Sequence, residues 1–158
     1  MQNYKTYDGF QAEHDYVAQF GGSLVADLRS QYADIDVLTV KDETVSVKFQ
    51  PTSLTTGNFS FEYLQIDTRT GQSIDGNFVK CQADWYAISD SEFWYLIRTS
   101  DIKQYIEQYK PRLRDVKTNF KLENLNRQAG RKYDRARSWL VPVSDLRDMA
   151  IIVPHVIA

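Results

Sequence analysis

The stretch from Asp34 to Gln50 constrains the fold more than any other part of the chain. "DIDVLTV" and "TVSVKFQ" are rich in β-branched residues and alternate in polarity, and only Lys41, Asp42 and Glu43 separate them. That pattern reads as a β-hairpin. Side chains two residues apart on a strand share a face. Asp34, Asp36, Leu38 and Val40 therefore share one face of the first strand. On the second, Val45, Val47 and Phe49 form an apolar face, and Ser46, Lys48 and Gln50 point the other way. A third run, "FSFEYLQI", follows the loop "PTSLTTGN", which Pro51, Gly57 and Asn58 punctuate. It sets Ser60, Glu62 and Leu64 opposite Phe59, Phe61 and Tyr63. If the three strands are neighbours, Asp36, Lys48 and Glu62 converge on one polar face.

The rest of the chain supplies helices around these strands. "FQAEHDYVAQFGGSLVADLRSQY" carries Phe10, Val17, Phe20, Leu24, Val25 and Leu28 at mostly helical spacing, with Gly21-Gly22 placed to weaken or break the helix. "DTRTGQSIDGN" reads as a polar turn region and "FVKCQA" as a short helix. "DWYAI" and "FWYLIR" read as strands. "DIKQYIEQY" reads as an Asp-capped helix that stops near Pro111. A basic, weakly periodic segment follows, and "SWLVPVSDL" returns as a strand, with Pro142 marking an edge or a strand end. This order predicts one α/β domain over residues 1–158, a central mixed β-sheet flanked by helices.

Charge is distributed unevenly. Residues 1–102 carry a balance of −8 and residues 103–158 a balance of +6. An acidic part beside a basic part suits a protein that gathers cations at one place and phosphates at another. Ordinary solvated helix faces give the same composition. Cys81 is the only cysteine, which excludes an intramolecular disulfide and a multi-cysteine zinc site, and suits a reducing compartment. His14 and His155 lie at opposite ends of the chain, so no close histidine motif exists. No apolar run approaches the ~18–20 residues needed to span a bilayer, so no membrane partner is expected. "MQNYKTYDGF" lacks the apolar core of a signal peptide. The expected setting is cytoplasmic.

Two carboxylates and a lysine in one cleft suit metal-assisted phosphodiester hydrolysis. Carboxylate oxygens bind Mg²⁺, which keeps several of its waters. The metal activates water and offsets charge on the phosphate, and a lysine stabilises the transition state electrostatically. The same residues fit a plainer account. An Asp at a strand start caps a turn, a strand Lys faces solvent, and a Glu on the next strand pairs with it for less than about 1 kcal/mol.

The run from Asp36 to Trp85 resembles the PD-(D/E)XK nuclease superfamily, in particular its small phage and bacterial members. The resemblance rests on "VSVKF", "TTGNFSFE" and "ADWYAI", with later likenesses in "FWYLIRTSDIKQYI" and "WLVPVSDL". It covers roughly residues 34–147 and implies a restriction-endonuclease-like core. By this resemblance Asp36 is the first metal ligand, with Asp34 as the alternative if the register differs, and Lys48 is the catalytic lysine. Ser46 departs from the pattern, since the family usually has Glu or Asp there. Glu62 matches a downstream Glu and is positioned to supply the displaced acid. Glu13 resembles an acid of the first helix, and Lys80 is placed to touch a phosphate.

The implied function is a Mg²⁺- or Mn²⁺-dependent DNA endonuclease, phage-related and acting in the host cytoplasm if phage-encoded. A homodimer is compatible with it. The alternative is a nuclease-fold DNA-binding or protein-interaction module that has lost catalysis, which Ser46 favours. DNA phosphates are expected along the basic segment at about 110–137, through Arg112, Arg114, Arg127, Arg131, Lys132 and Arg135. Trp85, Tyr86, Trp94, Tyr95 and Trp139 are expected mainly in the core, as is Cys81.

Overall fold

The computed structural model describes residues 9–119 and 133–157. Helix α1 (Gly9–Phe20) leads into β1 (Ser23–Leu24), α2 (Leu28–Tyr32), β2 (Val37–Leu38) and β3 (Thr44–Phe49). Then come α3 (Ser53–Thr56), β4 (Asn58–Ile66), β5 (Ser73–Asp75), α4 (Asn77–Lys80), β6 (Trp85–Ser89), β7 (Phe93–Arg98) and α5 (Thr99–Tyr109). A 3₁₀ turn (Lys110–Arg112) precedes β8 (Arg114–Asn119), and the described chain closes with β9 (Arg135–Pro142), α6 (Val143–Leu146) and β10 (Ala150–Pro154).

The fold is α/β, with two sheets among the described residues. Six strands in the order β1-β2-β3-β6-β7-β10 form a mixed sheet, in which only β3 and β6 run parallel. Four strands in the order β5-β4-β9-β8 form a second, antiparallel sheet. Parallel neighbours need a long crossover, and the segment between β3 and β6 carries β4, β5 and α4. The condition for Asp36, Lys48 and Glu62 to converge, that the three strands are neighbours, is therefore not met. β4 pairs with β5 and β9, and its link to β3 is made by a side chain. Gln50 donates from Nε2 to the Ser60 carbonyl at 2.9 Å and accepts from Ser60 N at 2.8 Å.

The alternation in β3 decides what packs where. Val45 and Val47 join Val37, Ala87 and Trp94 against Ala12 and Tyr16 of α1. The other face of the sheet presents Tyr86, Ile88, Tyr95 and Ile97 to Phe59 and Phe61 of β4, Val141 of β9, Phe78 of α4 and Ile102 and Ile106 of α5. Burying a large aliphatic or aromatic side chain contributes ~1.5–3 kcal/mol, so these two layers dominate the stability. Ser46 and Lys48 lie on the second face, at the edge of that core.

Further differences from expectation have local causes. Gly21 and Gly22 both take positive φ, and a Cβ on Gly22 would sit 2.5 Å from the Leu38 carbonyl oxygen. The helix therefore ends at Phe20, and Leu24, Val25 and Leu28 are not part of it. A separate helix, α2, starts at the Asp27 cap, whose carboxylate accepts from Ser30 N at 2.8 Å. Part of the polar turn region forms β5. Part of the basic segment forms β8 and the start of β9. Pro142 ends β9, and the residues after it turn into α6. The final strand, β10, is unpatterned in polarity and was not anticipated.

Candidate functional site

Asp34, Ser46 and Lys48 form a compact polar centre. Asp34 Oδ1 accepts from Lys48 Nζ at 2.7 Å, and Asp34 Oδ2 accepts from Ser46 Oγ at 2.9 Å. Ser46 is fully buried and Asp34 nearly so. Asp34 has a φ of 56°, a left-handed conformation that costs a non-glycine residue about 1–3 kcal/mol. The two side-chain bonds hold it there. The acid that meets Lys48 is therefore Asp34, the alternative rather than the first choice. Its placement does not follow from strand alternation, because regular pairing in β2 covers only Val37 and Leu38. Ser46 also gains a physical rationale. A carboxylate at this position would face Asp34 at contact distance and repel it.

Asp36 stands at the start of β2. Its Oδ2 accepts from Val47 N at 2.7 Å, and its own N–H donates to the Val45 carbonyl at 2.9 Å. Its charge raises the Lys48 pKa, so the two belong to one electrostatic neighbourhood.

Lys48 opens onto a cleft of about 250 Å³ between the two sheets. Gln50 and Tyr86 share its wall, and Ser60 and Glu62 of β4 face it with Ser138 of β9. The structure thus brings Lys48 and Glu62 into one cleft, from different sheets. Glu62 Oε1 accepts from Gln65 Nε2 at 2.6 Å. Its position depends on a β-bulge, a register shift between Glu62 and Leu64. Gly76 stabilises the bulge by donating to the Tyr63 carbonyl at 2.9 Å. A Cβ at Gly76 would lie 2.5 Å from the Glu62 carbonyl oxygen, so only glycine permits this approach.

Burial raises the Asp34 pKa above the ordinary carboxylate value, and Lys48 offsets part of that rise. For Lys48, burial acts to lower the pKa, but the Asp34 carboxylate outweighs it and the net direction is up. Burial likewise raises the Cys81 thiol and pushes the Tyr86 hydroxyl far up, so both stay protonated. Among the described residues, the buried Tyr86 hydroxyl oxygen has the Cys81 thiol as its polar neighbour and no nitrogen or oxygen partner.

The pair makes a prediction. Lys48→Met leaves the Asp34 charge uncompensated and should cost about 1–3 kcal/mol at pH 7. A raised carboxylate pKa means that the folded state binds the extra proton, so stability recovers as pH falls through the Asp34 pKa. Urea unfolding of the variant at pH 7 and pH 5 checks this. A variant that loses stability on acidification relative to wild type would contradict it.

Glu62 lines the cleft and Asp36 does not, since Asp36 turns Oδ2 to Val47 N; both carboxylates are hard oxygen donors of the kind Mg²⁺ takes. Asp34 is already committed to Lys48 and Ser46. Among the described residues, no group of three or more His, Cys, Asp or Glu side chains is arranged to hold a metal. The donor chemistry fits a divalent ion bound by one or two carboxylates with water and phosphate completing its shell, and does not fit an all-protein cage.

The remaining candidates are placed elsewhere. Glu13 is on α1, which packs on the opposite face of the sheet from Lys48. Lys80 ends α4, with its ammonium 5.2 Å from the centre of the Tyr32 ring, and does not line the cleft. Arg112, Arg114 and Arg135 are exposed, whereas Arg127, Arg131 and Lys132 lie outside the described residues. Gln50 and Tyr86 were not anticipated as part of the site. Gln50 shares strand parity with Ser46 and Lys48, which was the available signal. Among the described residues, no helix is long and apolar enough to cross a membrane. Comparison with family models, with curated proteins and with solved structures finds no match.

Proposed function

We propose that the protein is a metal-dependent DNA endonuclease that hydrolyses phosphodiester bonds. Lys48 is the catalytic lysine, Asp36 and Glu62 are the metal-binding acids, and Asp34 positions Lys48. The observation that carries this reading is that Lys48 and Glu62 face one cleft from two sheets, with Lys48 fixed at 2.7 Å on Asp34. The mixed sheet with an acid before β2 and a lysine on β3 agrees with the PD-(D/E)XK resemblance.

A bound Mg²⁺ or Mn²⁺ would activate water and offset phosphate charge. The chain's own residues do the rest. Lys48 stays protonated and presents a fixed positive charge to a phosphate in the cleft, which stabilises charge that develops during hydrolysis. Asp34 limits the positions of the ammonium, and Ser46 fixes Asp34. Arg112, Arg114 and Arg135 supply exposed charge for the DNA backbone, contacts that set position rather than sequence.

One observation favours a second reading, a nuclease-fold module without catalysis. Ser46 is buried and hydrogen-bonded to Asp34, so it brings no negative charge where the family usually has an acid.

Plasmid nicking separates the two. Wild type should nick supercoiled DNA with Mg²⁺ or Mn²⁺ and not with EDTA, and Lys48→Ala should slow nicking by about 10²–10³-fold. No cleavage of plasmid, single-stranded or branched DNA under either metal would reject the endonuclease reading. Binding should weaken with salt through counterion release. Replacing Arg112, Arg114 and Arg135 by Gln should flatten the salt dependence by about one unit of slope for each arginine that contacts a phosphate. A salt-independent affinity would count against the proposed interface.

A further inference from the structure

A second cleft is larger than the one at Lys48. It has a volume of about 650 Å³ and lies between the end of α5, the following 3₁₀ turn, β9 and α6. Tyr105 and Tyr109 line it with their rings 4.8 Å apart, Arg112 and Arg114 bring two cations, and Asp145 and Asp148 bring two carboxylates. Tyr105 donates to Asp145 Oδ2 at 2.5 Å, which orients that carboxylate and leaves its other oxygen for a ligand. Burial and Asp145 push the Tyr105 hydroxyl up to about 12, so it remains a donor at neutral pH.

This cleft and the Lys48 cleft share one face of the four-stranded sheet. Asn58 and Leu140 line the first, and Glu62 and Ser138 line the second. Asn58 and Glu62 have the same strand parity, and Ser60, between them, pairs with Leu140. Four strand residues span about 13 Å, the length of a few nucleotides.

We propose that the cleft at Tyr105 and Tyr109 is a subsite for one unstacked nucleotide of a single strand, and that it prefers a base with an exocyclic amino group. Each component has a chemical reason. Aromatic faces accept any base by stacking. Arg112 and Arg114 suit the flanking phosphates. An aspartate accepts from the amino group of cytosine, and the amino groups of adenine and guanine offer the same kind of donor. Thymine has no amino group, and its one ring donor, N3–H, is flanked by two carbonyl oxygens that the carboxylate would repel. A site for phosphate alone would not carry Asp145 inside it, because like charges repel. The inference rests on the proposed nucleic-acid function, but not on cleavage.

The test is fluorescence anisotropy with labelled dC, dA and dT 12-mers and a mixed duplex, in Ca²⁺, on the full chain. Wild type should bind dC and dA oligomers about fivefold or more tighter than dT, which corresponds to about 1 kcal/mol or more of amino-group recognition. Tyr109→Ala should weaken single-strand binding by about 5–100-fold, the loss of one stacking contact, with duplex binding little changed. Tyr109→Leu, which keeps apolar bulk, should behave like Tyr109→Ala and guards against a folding artefact. Asp145→Asn should bring the dC and dT affinities together. Equal binding of dC and dT by wild type, or single-strand affinity unaffected by both Tyr109 variants, would overturn the subsite while leaving the endonuclease reading intact. Base discrimination without any cleavage would uphold the subsite and remove the endonuclease reading. No binding to any of these nucleic acids would overturn both.

Discussion

Glu62→Ala should reduce Mg²⁺-dependent plasmid nicking by about 10²–10³-fold, the scale of losing one preorganised electrostatic group, while DNA affinity in Ca²⁺ stays near that of wild type or rises. Glu62 faces Lys48 across the cleft and, among the described residues, its side chain is tied to the Gln65 side chain. Its removal weakens metal binding but also lessens repulsion of an incoming phosphate. Ser46→Ala should have a much smaller effect on cleavage. It removes one buried hydrogen bond to Asp34, about 1 kcal/mol, and Lys48 still neutralises that carboxylate. Ser46→Glu tests the converse. It restores the acid usual in the resembled family, but sets two carboxylates against each other beside one lysine. It should lose stability at neutral pH and regain it in acid or with Mn²⁺. Nicking by all four proteins, with binding followed in Ca²⁺, decides the matter. Wild-type cleavage rates in Glu62→Ala would reject Glu62 as the displaced acid. Activity that appears only in Ser46→Glu would establish the natural chain as a catalytically silent module.

The legible and illegible parts of this site divide along physical lines. Alternation in β3 correctly separates Val45 and Val47 from Ser46 and Lys48, because a strand's period of two is enforced by backbone geometry. Alternation could not say which sheet β4 joins, since pairing partners are a tertiary choice. Glu62 reaches the cleft from a facing sheet, aided by a bulge at Tyr63 that no local pattern announces. Strand parity puts Asp34 on a strand face, yet it sits in a left-handed turn and is held by side-chain bonds. Gly21-Gly22 was readable as a helix break because glycine carries its own conformational signal. Gly76 was not, because what it permits is close contact with a residue distant in sequence. β10 has no alternation to read, and its residues find their place by pairing with β7.

Asp15→Ala should destabilise the fold by about 3–5 kcal/mol, the cost of leaving one member of a buried polar pair without its partner. Asp15 on α1 is completely buried, and its Oδ2 lies 2.8 Å from His155 Nε2. The other ring nitrogen of His155, Nδ1, lies 2.5 Å from Ser89 Oγ at the end of β6. Ser89 Oγ also accepts from Ser91 N at 3.0 Å. Trp94 covers the imidazole with ring centres 4.5 Å apart. Aspartate, histidine and serine in sequence suggest a hydrolase triad by composition. Burial argues against that, because the His155 side chain is 1% exposed and Asp15 and Ser89 are 0% exposed, which leaves no path for a substrate. The chain is instead a staple. It joins α1 to the end of β6 and to the residue after β10, and Gln19 reinforces it by donating to the Pro154 carbonyl at 2.7 Å and accepting from Val156 N at 2.9 Å. The predicted loss is large against a typical total of about 5–15 kcal/mol, because α1 also covers Val45 and Val47 on the back of the strand that carries Lys48. Asp15→Asn, which keeps an acceptor oxygen, should cost less than Asp15→Ala. His155→Ala should cost a comparable amount, and the double variant should lose less than the sum of the two single losses, as expected for residues in contact. Urea unfolding of wild type and the four variants measures these losses and their coupling. A loss below about 1 kcal/mol for Asp15→Ala, or strict additivity in the double variant, would show that the staple does not hold the fold.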